Sequence, residues 1–168
     1  MKKKFIDPLI KRKANLTKNV QFFANTPLPS VIEISESGTC NRKCSFCPRS
    51  APDFKDIKEF ISDELITKLS QQLSIYNYSG IFLFSGFVEP MIDKNIFNLI
   101  SITRKNLPNA RIEMVTNGDA LNMERTKKLY SSGLSTLLIS IYDGKKEADD
   151  MEKLMKSCNL SDEQFKVR

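Results

Sequence analysis

Three cysteines, Cys40, Cys44 and Cys47, follow an apolar strand-like run at C-x₃-C-x₂-C spacing. Thiolate is a soft donor, and sites rich in it select zinc or iron–sulfur clusters. Structural zinc asks for four ligands. The remaining cysteine, Cys158, is far along the chain in a helical stripe with Met151 and Met155, where it reads as a buried free thiol. Burial of the three as small hydrophobes does not suit a stretch that also holds Asn41, Arg42, Lys43, Ser45 and Arg49. The pattern fits an iron–sulfur cluster held through three irons, with the fourth open to a small chelating molecule. An open iron points to chemistry rather than structural stapling.

Histidine is absent from all 168 residues. That excludes a Ser-His-Asp triad, a Cys-His dyad and imidazole-bound zinc. The chain is 40% hydrophobic, enough for one domain with a real core. No run approaches the roughly 18 apolar residues of a membrane span, and the N-terminus has no apolar signal core. Clustered cysteines without an export signal indicate a reducing compartment, so a cytoplasmic protein is expected.

The net charge of +6 is concentrated at one end. Residues 1–20 carry Lys2, Lys3, Lys4, Lys11, Arg12, Lys13 and Lys18 against Asp7 alone, and the rest of the chain is neutral. Residues 1–30 therefore read as a basic N-terminal arm, and residues 31–168 as the folded unit. Such an arm could touch nucleic acid or an acidic partner. It lacks aromatic interleaving or an RNP-like pattern, so it reads as a solvated leader and nucleic acid is not expected.

The elements that must position the cysteines alternate. Val31 to Ser35 has strand periodicity, and the cysteine loop runs from Gly38 to about Pro52. Ser62 can cap a helix whose apolar stripe is Leu65, Ile66, Leu69 and Leu73. Ile81 to Phe84 is a continuous apolar run of the kind buried on both faces of a parallel sheet. A helix from Ile96 to Leu107, a strand from Ala110 to Val115 and a helix capped by Asn122 and stopped by Gly133 follow. Then come a strand over Leu137 to Ile141, a helix through Ala148, Met151, Met155 and Cys158, and the start of a fifth strand at Phe165. The spacing predicts an α/β fold with a parallel sheet of about four βα units plus the beginning of a fifth strand. The chemical segments all follow strands, where parallel α/β folds place their sites. They are the cysteine loop, Ser85 to Pro90, Thr116 to Gly118, and Ser140 to Gly144.

Cys40-Asn-Arg-Lys-Cys44-Ser-Phe-Cys47 resembles the signature of the radical S-adenosylmethionine (radical SAM) enzymes, including the aromatic Phe46 before the third cysteine. The resemblance runs from about Val31 to the C-terminus and implies the family's partial (βα)-barrel. It implies a 4Fe-4S cluster on Cys40, Cys44 and Cys47, and S-adenosyl-L-methionine chelating the open iron. Reductive cleavage of S-adenosylmethionine would then give a 5′-deoxyadenosyl radical that abstracts hydrogen from substrate. Backbone at Phe46 is implied to approach the adenine. Gly86-Phe-Val-Glu-Pro90 resembles the family's Gly-Gly-Glu-Pro element, which implies that Gly86, Glu89 and Pro90 meet the methionine ammonium. Val88 stands where related members carry glycine, a position whose φ angle valine cannot always reach. Thr116-Asn117-Gly118 and Ser140 resemble further elements, implied near the ribose and methionine carboxylate. Arg168 matches arginines that follow the fifth strand in relatives.

The Cys-Pro-Arg ending of the loop, Glu-Pro and Thr-Asn-Gly together resemble the subgroup that often carries a SPASM domain. The family barrel has six βα units, so this chain is expected to be an N-terminal portion of the core, incomplete at its C-terminus. The implied partners are S-adenosylmethionine, a peptide, protein or small-metabolite substrate, and an electron donor such as flavodoxin or ferredoxin. The competing reading is a non-catalytic module, a thiolate zinc knot or a nucleic-acid binder using the basic arm.

Overall fold

A computed structural model describes residues 20–168. Most of the basic arm therefore lies outside the described residues. The chain begins with a small antiparallel ribbon of β1 (Phe22–Phe23) and β2 (Thr26–Pro27). Next come β3 (Val31–Ile34), β4 (Ser37–Gly38), β5 (Ile57–Phe60) and α1 (Asp63–Ser74). A regular alternation follows: β6 (Ile81–Phe84), α2 (Ile96–Asn106), β7 (Arg111–Thr116), α3 (Met123–Ser131), β8 (Thr136–Ile139), α4 (Lys145–Ser157) and β9 (Phe165–Val167).

The main sheet is parallel throughout, in the order β3-β6-β7-β8-β9. Each new strand adds beside the last, without the reversal that marks a doubly wound sheet. Right-handed crossovers that advance in one direction put the helices on one face, which is the construction of a (βα) barrel segment. The expected α/β architecture is therefore present, with four helix crossovers and a fifth strand.

The residues explain the layers. Phe82 and Phe84, Ile112 and Met114, and Leu137 and Ile139 alternate along their strands and are buried in one core. That core also holds Ile66 of α1, Ile96, Leu99 and Ile100 of α2, Leu129 of α3 and Met155 of α4. Removing such side chains from water supplies the main drive for each helix to dock, at about 25 cal/mol per Å² of apolar area. β6 is buried at every position, as its apolar run predicts. Ser62 caps α1 by accepting from the Leu65 N–H at 3.3 Å, and Asn122 caps α3 by accepting from the Arg125 N–H at 2.8 Å.

The structure corrects two local expectations. Leu65 is exposed, because the buried face of α1 is centred on Ile66 and Ser70 and position 65 falls a step outside it. The stretch beginning at Gly38 is also not all loop, since β4 pairs antiparallel with β5 and closes the two ends of the cysteine segment. Among the described residues, no helix is long and apolar enough to cross a membrane.

Candidate functional site

The cysteine loop follows β4 directly and is fastened at its base. The Cys47 N–H donates to the Cys44 carbonyl at 2.9 Å, which turns the chain between those two thiols. Ser50 caps the return, its hydroxyl donating to the Cys47 carbonyl at 2.8 Å. Arg49 is buried beneath the loop. It donates to the carbonyls of Gly38 (3.0 Å) and Phe87 (2.9 Å) and pairs with Asp56. One guanidinium thus ties the entry of the loop, its exit and the segment after β6, using the fixed fork that only arginine offers.

Glu89 does comparable work at the strand ends. It is 2% exposed and accepts three hydrogen bonds: from the Met91 N–H (3.0 Å), the Thr116 hydroxyl (2.6 Å) and the Asn117 N–H (2.7 Å). Burial pushes its carboxyl above the usual range, while those three donors pull the other way. Thr116 and Asn117 are set by this carboxylate. The Asn117 side chain then reaches the cysteine loop, donating to Asn41 Oδ1 at 2.7 Å and lying 4.0 Å from Cys40 Sγ. Gly118 takes φ +82°, the left-handed turn that Asn-Gly sequences favour.

These pieces surround one open cavity of about 250 Å³. Cys40, Cys44, Cys47, Phe46, Gly86, Glu89, Thr116, Asn117 and Ser140 all line it. Pro90 does not; it is buried at the start of a 3₁₀ turn just beyond Glu89. Val88 lines the cavity and is not among the residues with positive φ, so it needs no glycine. The glycine requirement falls on Gly86, at φ +129°, where a Cβ would come within 2.1 Å of Ser35 Oγ. Ser140 is held by its N–H, which donates to the Thr116 carbonyl at 2.9 Å. Cys158 is buried away from the cavity, its Sγ 3.9 Å from the Met123 carbonyl. Arg168 continues the edge strand through backbone bonds with Ile139 and Ile141.

Sequence reasoning did not single out Asp119 or Tyr142; it noticed Asn41 and Arg42 only as loop polarity, and Arg49 as loop polarity and as the end of the Cys-Pro-Arg motif. Arg42 sits between two of the thiols and forks onto Asp119, and Tyr142 follows β8 and meets Phe46 with ring centroids 5.5 Å apart. A positive side chain inside a cysteine segment, with acids just after β7 and β8, was the available signal.

The donors suit a cluster better than a lone ion. Among the described residues, no three His, Cys, Asp or Glu side chains converge as a single metal ion requires. Zinc would need its sulfurs about 2.3 Å from one centre. A 4Fe-4S cube instead gives each thiolate its own iron and spreads the donors around its corners. The three thiols share one loop and one open cavity, and each is partly exposed to it. Burial raises the Cys40 thiol, with the Arg42 N–H at 3.4 Å and the charge of Arg49 favouring its thiolate. The residues present therefore fit the cluster.

Comparison with known proteins agrees with this geometry. The model of the Radical SAM superfamily matches residues 34–165. The chain belongs to that superfamily, whose members use a 4Fe-4S cluster and S-adenosylmethionine. It is 32% identical over 117 residues to the S-adenosyl-L-methionine-dependent 2-deoxy-scyllo-inosamine dehydrogenase of Niallia circulans, covering 70% of this chain and 46% of that protein. It is 34% identical over 119 residues to the Fe-coproporphyrin III synthase of Methanosarcina barkeri, covering 71% of this chain and 28% of that one. The crystal structure of BtrN in complex with AdoMet and 2-DOIA superposes with a TM-score of 0.71 at 26% identity, over 83% of this chain and 56% of BtrN. An open conformation of BtrN gives 0.65. The chain spans less than half the length of the curated relatives it matches.

Proposed function

We propose that the chain builds the radical-initiating site of a radical SAM enzyme, with Cys40, Cys44 and Cys47 as the protein ligands of its 4Fe-4S cluster. When bound, the cluster and S-adenosylmethionine supply a 5′-deoxyadenosyl radical that takes hydrogen from the substrate. The protein holds and orients. Phe46 offers an exposed ring and adjacent backbone to the adenine. The Gly86–Glu89 segment presents carbonyl oxygens and a carboxylate edge to the methionine ammonium, with Pro90 fixing the turn behind it. Thr116, Asn117 and Ser140 set the wall facing the ribose and the methionine carboxylate. Because Glu89 already accepts three protein hydrogen bonds, its first task is to place Thr116 and Asn117. Asn117 beside Cys40 would also tune the cluster's potential.

The observation that carries this reading is the meeting of all three thiols with the ends of β6, β7 and β8 on a single cavity. The core unit is taken as residues 31–168, with residues 1–30 as the basic arm. An external electron donor of the flavodoxin or ferredoxin type would complete the chemistry, and the likeness of the loop and turn motifs supports the reading of a SPASM-like subgroup member. The two curated relatives carry names of unrelated molecules, so the shared core serves radical initiation rather than substrate choice. 2-Deoxy-scyllo-inosamine is the first substrate to try.

The test is anaerobic reconstitution with iron and sulfide, followed by dithionite and S-adenosylmethionine. A brown protein with close to four irons that releases 5′-deoxyadenosine supports the proposal. A folded, colourless protein with fewer than about three irons per chain overturns it.

A further inference from the structure

Arg42 lies in the cysteine segment but spends its guanidinium on other walls of the cavity. Its Nε donates to Asp119 Oδ2 at 2.7 Å, and its Nη2 reaches Asp119 Oδ1 (2.5 Å), Asp143 Oδ2 (3.0 Å) and Glu147 Oε1 (3.4 Å). Asp119 follows β7, Asp143 follows β8, and Glu147 sits in the first turn of α4. Asn41 adds a 2.7 Å bond to Asp119 from the same loop. Glu147 in turn accepts the N–H groups of Tyr142 (2.9 Å) and Asp143 (2.7 Å). The guanidinium also lies 5.3 Å from the Tyr142 ring centre, and Tyr142 packs on Phe46. Lys146 and Asp150 border the same depression. Arg42 and Glu147 are mostly covered, with 19% and 16% of their side chains exposed, while Asp143 is open to solvent, so the clamp rests on the Asp119 fork and Glu147 more than on Asp143.

We propose that Arg42 is a positioning residue for the nucleotide: by clamping Asp119, Asp143 and Glu147 it presets the Phe46–Tyr142 aromatic rim on which S-adenosylmethionine docks. The inference rests on the reading of this cavity as the S-adenosylmethionine site. Phe46 is 71% exposed and Tyr142 43%, so the rim has little apolar burial to fix its rings. Without the guanidinium, three carboxylates lose their shared counter-charge and the turn after β8 loses its tie to the cysteine loop. The thiols have separate anchors, namely Arg49 and the Cys44–Cys47 turn. Removing Arg42 should therefore weaken the nucleotide and spare the cluster.

The experiment titrates S-adenosylmethionine into anaerobically reconstituted wild type, Arg42→Gln, Arg42→Lys, Asp119→Asn and the Arg42→Gln/Asp119→Asn double variant, following the cluster's spectrum. Iron content and thermal melting are measured on each. Arg42→Gln is expected to keep its iron and raise the half-saturating concentration roughly tenfold or more. Arg42→Lys should do nearly the same, because an ammonium cannot fork. The double variant should be no worse than Arg42→Gln alone. Wild-type affinity in Arg42→Gln, or loss of iron together with loss of the nucleotide response, overturns the assignment. If Arg42→Gln does not fold, Asp119→Asn decides it: weakened titration at full iron supports the clamp, and an unchanged titration refutes it. Failure of the wild type to load iron would instead refute the reading of the site itself.

Discussion

Glu36 gives a pH-dependent prediction. It follows β3 and is 1% exposed. Its Oε1 accepts from the Ser37 hydroxyl at 3.3 Å, while Oε2 is buried without a hydrogen-bond partner. Asp93, itself buried with an unpartnered Oδ2, and Glu89 add negative charge nearby. Burial above all, with those two carboxylates assisting, pushes the Glu36 carboxyl up to about 8 from 4.5. A raised carboxyl favours the fold while it stays protonated. Its contribution is complete below the unfolded value near 4.5 and is lost as pH rises through about 8. At 1.36 kcal/mol per pH unit the ceiling is about 5 kcal/mol, and water entry on ionisation reduces it to roughly 2–5 kcal/mol. Glu36→Gln mimics the protonated group. It should lie within about 1 kcal/mol of wild type at pH 5 and exceed it by roughly 2–5 kcal/mol at pH 8.5, in urea unfolding of the anaerobic apoprotein. Parallel pH profiles for the two proteins would refute the reasoning.

Gly86→Ala forces a side chain into a positive-φ position against Ser35; it should cost about 1–3 kcal/mol in urea unfolding and abolish the spectral response to S-adenosylmethionine. Glu89→Gln turns an amide donor toward either the Asn117 N–H or the Met91 and Thr116 donors. A loss of about 2–4 kcal/mol is expected in the same assay, with a weakened nucleotide response. Cys158→Ala should leave iron content unchanged and cost about 1–2 kcal/mol, because this thiol only fills the base of α4.

The fold was legible because β6 and β8 are short apolar runs and β7 carries Ile112 and Met114 in alternation, set among amphipathic helices of which two have plain caps at Ser62 and Asn122. Nine of the ten proposed site residues line the cavity for the same reason: each lies at or beyond the C-terminal end of β3, β6, β7 or β8, and parallel strands end on one side. What the chain did not reveal was long-range polar pairing. Arg42 meets partners 77 and 101 positions away, and Arg49 reaches a carbonyl 38 positions away. No local periodicity records such pairs. Pro90 followed its motif neighbour Glu89 into the proposed site, but the 3₁₀ turn carries it into the core. The β4–β5 pairing was hidden because Ser37–Gly38 has no strand-like composition and pairs through backbone alone.

Low-temperature electron paramagnetic resonance of the reduced, reconstituted protein tests the central claim most directly. The account predicts a 4Fe-4S signal in wild type that changes on adding S-adenosylmethionine and is absent in Cys44→Ala. A wild-type signal indifferent to S-adenosylmethionine, or a cluster that survives in Cys44→Ala, would contradict it.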